Sequence, residues 1–273
     1  MAQYVIDPPD ADGVRIAHTV PVGGITRSAD HRYTFDGKTY PGVTGILKVI
    51  DKSGPLMNWA ARMTAEAALG LVVPGEGGKW DFGSLDALLR SVGPEGTVKA
   101  LTSRSSWKND EAKDLGTEVH GLADDLIHGR LDLASVPARA KAHVDHYAKW
   151  WEASGWTIRT SEALLVHPEF KYGGTLDLLC RDRDGRTVLA DIKTGKGVYR
   201  ETVLQLTAYG MAQLIQTEAG VFAMPKVDRY AILHVTADGV REIEVPIGSL
   251  EEVAWAACLD LHQWSEATKG MRL

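Results

Sequence analysis

Residues 173–195 read GGTLDLLCRDRDGRTVLADIKTG and combine two β-strand patterns with a turn. The strand patterns cover Thr175–Arg181 and Arg186–Lys193. Between them, Asp182–Gly185 is a cluster of the residue types that favour tight turns. The stretch therefore predicts a β-hairpin, and we expect the other strands and helices to assemble around it.

The predicted hairpin brings acidic and basic side chains together. Side chains alternate between the two faces of a strand, so Asp191 and Lys193 share a face. Pairing around the turn would place Asp177 opposite Asp191, beside a glycine pair, 173–174, that leaves room for a ligand. Carboxylate oxygens suit Mg²⁺, and a lysine can offset charge on a phosphate. The alternative is a surface hairpin in which Asp191 and Lys193 form only a salt bridge.

Composition limits the classes of protein that fit. The chain has 273 residues, a net charge of −6 and only two cysteines. Two cysteines exclude an iron–sulfur cluster held by cysteine alone. No apolar run approaches the roughly 20 residues that cross a bilayer, and the N-terminus lacks signal-peptide features, which predicts a soluble cytoplasmic protein with no membrane contact. A basic channel for nucleic acid could still form locally from residues near the hairpin in sequence: Arg104, Lys108, Lys113, Lys171, Arg181, Arg183, Lys196 and Arg200.

The rest of the sequence predicts helices before the hairpin and mixed elements after it. Residues 1–30 lack periodicity and are predicted to be irregular. Other patterns predict hairpins over 31–40 and 229–246, helices over 43–50, 56–70, 84–92, 114–129, 138–154 and 201–216, a strand over 158–166, and a last helix capped by Ser249 and Glu252 that ends near Gly270. We expect an N-terminal extension with a helical cap over 1–109 and a core over 110–273.

Four short motifs occur in a fixed order along the predicted core. They are GTEVH ending in His120, an acid at Glu162, GGTLD ending in Asp177, and DIK at 191–193 followed by QLTAY at 205–209. Their order resembles the PD-(D/E)XK nuclease superfamily, in its RecB-like branch of phage-type exonucleases. The resemblance covers about residues 110–246. It implies an α/β (α+β) fold with a restriction-endonuclease-like αβββαβ core, in which helices flank a mixed central sheet.

The resemblance also implies roles for individual residues. It implies metal ligation by His120, Asp177, Asp191 and the backbone carbonyl of Ile192. It further implies that Lys193 is the catalytic lysine and that Glu162 supports the metal shell. Gln205 and Tyr209 would be the Q-x-x-x-Y pair, which holds the site or touches DNA. Leu176 stands where the family's name has proline, which removes no ligand. Taken alone, His120 could be a half-buried structural histidine, and Gln205 with Tyr209 a solvated helix face.

The function implied is hydrolysis of DNA from its ends with Mg²⁺ or Mn²⁺ and without an iron–sulfur cluster. Such an exonuclease serves recombination, repair or replication in bacteria or phage, and a single-strand annealing protein is the partner expected by analogy. Three alternatives remain open at this stage: an endonuclease or flap nuclease with the same site, a DNA-binding module that has lost the reaction, and a small-molecule metalloenzyme on an unrelated α/β fold. The sequence predicts neither polarity, strand preference nor oligomeric state.

Overall fold

The computed structural model describes residues 24–50, 53–74 and 80–271. They form a mixed α/β structure with a seven-stranded sheet and a separate three-stranded sheet. The chain divides into two compact units, one over Asp51–Leu115 and one formed by the residues before and after it. This division differs from the expected boundary at 109, because the described residues up to Ile50 belong with the large sheet. No helix among the described residues is long and apolar enough to span a bilayer.

The three-stranded sheet is antiparallel and opens the described chain. It consists of β1 (Thr26–Arg27), β2 (Arg32–Phe35) and β3 (Lys38–Pro41). Asp36 and Gly37 both have positive φ, as a two-residue hairpin turn requires. The hairpin predicted over 31–40 is confirmed, whereas the irregular conformation predicted up to residue 30 is wrong at β1. Residues 1–23 of that prediction lie outside the described residues.

The predicted helices between 43 and 127 are present with changed boundaries. The elements are α1 (Val43–Ile46), α2 (Ser53–Leu69), β4 (Val73–Pro74), β5 (Trp80–Asp81) and α3 (Gly83–Ile127). α3 is interrupted at Gly93, which has a non-helical φ of 72° and is followed by Pro94. The helix predicted to begin at Asp114 does not begin there, because α3 is already helical before that residue. Its end is confirmed, because Gly129 is left-handed and the N–H groups of Gly129 and Arg130 cap the last carbonyls.

The large sheet is built from seven strands around the predicted hairpin. After α4 (Ala138–Ser154), the chain forms β6 (Thr157–His167), β7 (Tyr172–Arg181), β8 (Thr187–Lys193), α5 (Arg200–Gly210), β9 (Leu214–Thr217), β10 (Gly220–Ala223), β11 (Arg229–Thr236), β12 (Gly239–Glu244) and α6 (Ser249–Ala267). The strand order is β10-β9-β6-β7-β8-β11-β12, and only the β8–β11 pair is parallel. The predicted β7–β8 and β11–β12 hairpins are confirmed.

Two predictions about this region are wrong in detail. The helix predicted over 201–216 ends at Gly210, because Leu214 and Ile215 pair with β6 and β10 instead. The predicted cap of the last helix, Ser249 with Glu252, is shifted by one residue. Gly248 precedes the helix, and its N–H donates to the Glu251 carboxylate at 2.9 Å. In the first case the apolar pattern of the helix continues past Gly210, where strand pairing takes over. In the second case the start of the helix differs by one residue, as helix boundaries often do.

The glycine pair predicted to leave room for a ligand is instead filled by tyrosine rings. A Cβ on Gly173 would meet the Tyr33 side chain, and one on Gly174 would collide with the Tyr209 ring. Both tyrosines are buried, Tyr209 in the main core beside Leu165 and Leu206. These glycines therefore serve close packing of β7 against β2 and α5.

Gly174→Ala is expected to destabilise the protein by about 1–3 kcal/mol, because the methyl group overpacks the site that Tyr209 fills. Urea unfolding measures the change. Gly121→Ala is the matched control: Gly121 is exposed on α3 with nothing within 4 Å of an added Cβ, so it should gain about 0.5–1 kcal/mol. Equal stability of the parent and Gly174→Ala would contradict the packing role.

Candidate metal centre

Two strands separate at the centre of the site. The β7–β8 ladder ends at the pair Leu178–Ala190, and the next residues on the two strands are Asp177 and Asp191. Beyond this point the Ile192 N–H donates to the Asp177 Oδ2 at 2.7 Å rather than to a strand carbonyl. Asp177 and Asp191 therefore lie next to each other, as expected, just past the end of the backbone ladder. Because the strands separate there, side chains occupy the space between them.

Asp191 and Lys193 form an ion pair in which the carboxylate is buried and the lysine is partly exposed. The Asp191 side chain is 1% exposed, and its Oδ2 lies 2.5 Å from the Lys193 Nζ. Burial raises the pKa of Asp191 and Asp177 raises it further, while Lys193 acts in the opposite direction. Burial alone would lower the pKa of Lys193, but Asp191 and Asp177 outweigh it and the pKa is raised. The alternative of a surface hairpin with an exposed salt bridge is therefore wrong.

The helix after β8 holds Asp191 from the other side. Gln205 Nε2 donates to Asp191 Oδ1 at 2.9 Å and to the Tyr209 hydroxyl at 3.1 Å. Tyr209 is 4% exposed and belongs to the main core. The alternative of a solvated helix face is wrong for this pair, which instead fixes the orientation of the Asp191 carboxylate.

A second group of side chains converges next to this pair. One ligand atom each from His120, Glu162 and Asp177 lies within 4.8 Å of the other two. His120 is on α3, and its Nδ1 lies 3.5 Å from the Asp177 Oδ2. The elements α3, β6 and β7 thus supply one imidazole nitrogen and two carboxylates to one point. Asp191 lies outside this group: Gln205 donates to its Oδ1, and its buried Oδ2 lies beside the Lys193 Nζ without a hydrogen-bond partner in the described part of the chain.

Glu162 has an unusual backbone conformation for a strand residue. Its φ is +48°, although its neighbours Ser161 and Ala163 pair with Leu178 and Leu176 of β7. A positive φ is uncommon for a residue with a side chain. Continuing the register, Glu162 lies across from Asp177. Although the Glu162 side chain reaches solvent, partial removal of its carboxylate from water and the charge of Asp177 raise its pKa to about 7.

The group lines an open cavity of about 580 Å³. Its wall includes residues that the sequence did not single out. The Tyr33 hydroxyl and Arg27 both contact the Thr175 hydroxyl, at 3.0 and 3.2 Å. Asp124 also lines the cavity and accepts a hydrogen bond from Ser161. Thr175 stands within GGTLD and could have been noticed there, whereas β1 and β2 gave no signal of their place beside the acids.

The donor set fits a divalent cation. Two carboxylates are hard oxygen ligands suited to Mg²⁺, and an imidazole nitrogen favours metals such as Mn²⁺ that tolerate nitrogen. Partial burial and, after it, the nearby charge of Asp177 raise the pKa of Glu162, so the two carboxylates repel each other here. A cation would relieve that repulsion, and water ligands could complete its shell through the open cavity.

Comparisons with known proteins add little. No family model matches the chain, and no curated protein is significantly similar to it. A solved structure titled "Crystal structure of SSO0001" is similar at a TM-score of 0.26 and 17% identity, over 44% of this chain and 56% of that one. A similarity this low carries no conclusion about fold or function.

Glu162→Gln is expected to raise the melting temperature of the metal-free protein at pH 8. The pKa of Glu162 rises from 4.5 to about 7 on folding, so the folded state binds this proton more tightly and stability falls as pH rises through that window. Glutamine does not ionise, so the Glu162→Gln variant does not lose this stability as the pH rises. The gain should be a few degrees at most, because solvent screens the group, and it should vanish at pH 4.5.

Thermal melts in EDTA at the two pH values measure this effect. Glu152→Gln, at an exposed position on α4, is the matched control and should leave the melting temperature unchanged at both. A variant at position 162 that melts below the parent at pH 8 would show that the carboxylate is stabilising there, against the expected charge repulsion.

Proposed function

We propose that the protein is a divalent-metal-dependent deoxyribonuclease that acts as an exonuclease. The observation that carries the proposal is the convergence of His120, Glu162 and Asp177 beside the ion pair of Lys193 with the buried Asp191. The elements α3, β6, β7, β8, α5 and β11 follow one another in the order of a restriction-endonuclease-like αβββαβ core, with α4 inserted before β6 and the strands β9 and β10 inserted before β11. This order supports the proposal. In this core, β7 and β8 carry the two aspartates, and the helix after β8 carries Gln205.

The ligands proposed for the metal are oxygen and nitrogen atoms at the open end of β7 and β8. His120, Glu162 and Asp177 would hold it, with Asp191 next to them. A strand residue directs its N–H and C=O toward the same neighbouring strand. Because the Ile192 N–H points to Asp177, its carbonyl faces the same side and is available as a further ligand.

A bound Mg²⁺ or Mn²⁺ supplies an activated water and stabilises charge on the phosphate. The chain's own groups position and balance this chemistry. Lys193 keeps a cationic Nζ 2.5 Å from Asp191, where it can compensate negative charge that develops on a phosphate oxygen. Gln205 holds the Asp191 carboxylate in one orientation and is itself held by the buried Tyr209. These contacts keep the acids in place before substrate arrives.

The biological setting follows from the same proposal. DNA ends are the proposed substrate, and recombination, repair or replication in the bacterial cytoplasm is the proposed context. A single-strand annealing protein is the proposed partner. The same centre could cut internal phosphodiesters, so the choice between exonuclease and endonuclease is left to a substrate without ends.

Asp177→Asn is expected to lower metal-dependent cleavage of linear DNA by on the order of 10²–10³-fold or more, because it removes a charged ligand while keeping the acceptor for Ile192. End-labelled linear DNA and closed circular plasmid, with Mg²⁺, Mn²⁺ or EDTA, are the substrates. The parent should degrade only the linear DNA.

Asp260→Asn, at an exposed position on α6, is the matched control and should cleave like the parent. Nicking of the circle would instead assign endonuclease activity, and DNA binding without any cleavage would assign a non-catalytic module. Lys193→Ala is a poor first variant: it leaves Asp191 buried without its partner, at a cost of about 3–5 kcal/mol, and could fail to fold.

A further inference from the structure

A second open groove, of about 940 Å³, lies between the β2–β3 hairpin and the C-terminal end of α6. Its charged lining is predominantly basic. Five Lys or Arg side chains face two carboxylates, in a protein whose net charge is −6. These residues are Arg32, Lys38, Lys48, Lys171 and Lys269 against Asp30 and Glu266. The local sign of charge is thus opposite to that of the whole chain.

Most of these cations are free of ion pairs. Lys269 is paired with Glu266 at 2.8 Å. In the described part of the chain, no carboxylate lies within 4.0 Å of Arg32, Lys38, Lys48 or Lys171. All four residues are exposed. Unpaired cations that surround a groove concentrate a positive potential, which favours a polyanion over a single small anion.

The groove adjoins the cavity of the metal centre. His31 and Thr44 line both the groove and the cavity that contains His120, Glu162 and Asp177. Asp124 and Glu162 also line a further cavity, which shares no lining residue with the basic groove. That cavity has Arg130 and Arg159 against three carboxylates, so it lacks an excess of positive charge. The surface around the acids is therefore electrostatically asymmetric.

We propose that the basic groove binds the sugar-phosphate backbone of the long, uncut part of a DNA strand and leads it to the metal centre. This inference rests on the proposed function and adds a direction to it. An exonuclease must hold the polymer on one side of the scissile phosphate and release a short product on the other. The basic groove meets the first need, and the cavity without excess positive charge meets the second. Lysine contacts to phosphates position a strand without reading its sequence.

The test neutralises three of the unpaired lysines at once, as Lys38→Gln, Lys48→Gln and Lys171→Gln. Affinity for a fluorescent single-stranded oligonucleotide of mixed sequence is measured by anisotropy in EDTA at several salt concentrations. Neither metal nor cleavage enters this measurement, so it is independent of the proposed function. The matched control removes three exposed cations elsewhere, as Lys149→Gln, Lys226→Gln and Arg241→Gln.

The groove variant should bind at least tenfold more weakly than the control. The slope of log affinity against log salt should also become shallower by about 0.7 for each phosphate that a lysine no longer neutralises, or about 2 for three phosphates. The Mn²⁺-induced rise in melting temperature should equal that of the parent, because none of the three lysines lies among the proposed ligands.

Unchanged affinity, or an equal loss in both variants, would overturn the groove assignment. Binding of the parent to phosphatidylserine vesicles that is lost in the groove variant, with oligonucleotide binding retained, would assign the groove to a lipid surface and also overturn it. A parent that binds the oligonucleotide through the groove but cleaves no DNA with any metal would refute the proposed function while leaving the groove assignment intact.

Discussion

The buried carboxylate of Asp191 is the constraint on which the site depends. At 1% exposure, an ionised aspartate is tolerated only when charge and hydrogen bonds compensate it. Lys193 supplies the charge and Gln205 supplies a hydrogen bond. Gln205 in turn contacts Tyr209, whose ring fills the space left by Gly174. The compensation of one charge therefore links β8, α5 and β7.

Next to this compensated pair lies a group that is not compensated. Glu162 and Asp177 converge beside His120 in a cavity that Arg27 also lines, and Glu162 does so from a backbone conformation that strands rarely adopt. Such features reduce the stability of the free protein and are typical of sites whose balance is restored by a ligand. A divalent cation would provide the positive charge that these two carboxylates lack. The contrast between the two groups separates structural charge from charge available for binding.

Elements determined by local sequence were predictable, and those determined by distant partners were not. Alternation and turn residues identified the β7–β8 hairpin, and four motifs brought together Asp177, Asp191, Lys193, Gln205 and His120. The strand β9 was missed because Leu214 and Ile215 continue the apolar period of α5, and only pairing with β6 makes them a strand. Filling of the space at Gly173 by Tyr33 could not be foreseen, since these two residues are about 140 positions apart in the chain. Of the eight basic residues suggested for a channel, Arg104 and Lys108 lie outside the described side chains. Among the other six only Lys171 lines the groove, because proximity in sequence is a poor guide to proximity on a sheet.

The most direct measurement is a crystal structure grown with Mn²⁺ and recorded near the manganese absorption edge. We expect an anomalous difference peak between the Nδ1 or Nε2 of His120 and the carboxylates of Glu162 and Asp177, with Asp191 still held by Gln205. A peak elsewhere, or none at saturating Mn²⁺ with these side chains well ordered, would contradict a metal centre at this position and with it the proposed chemistry.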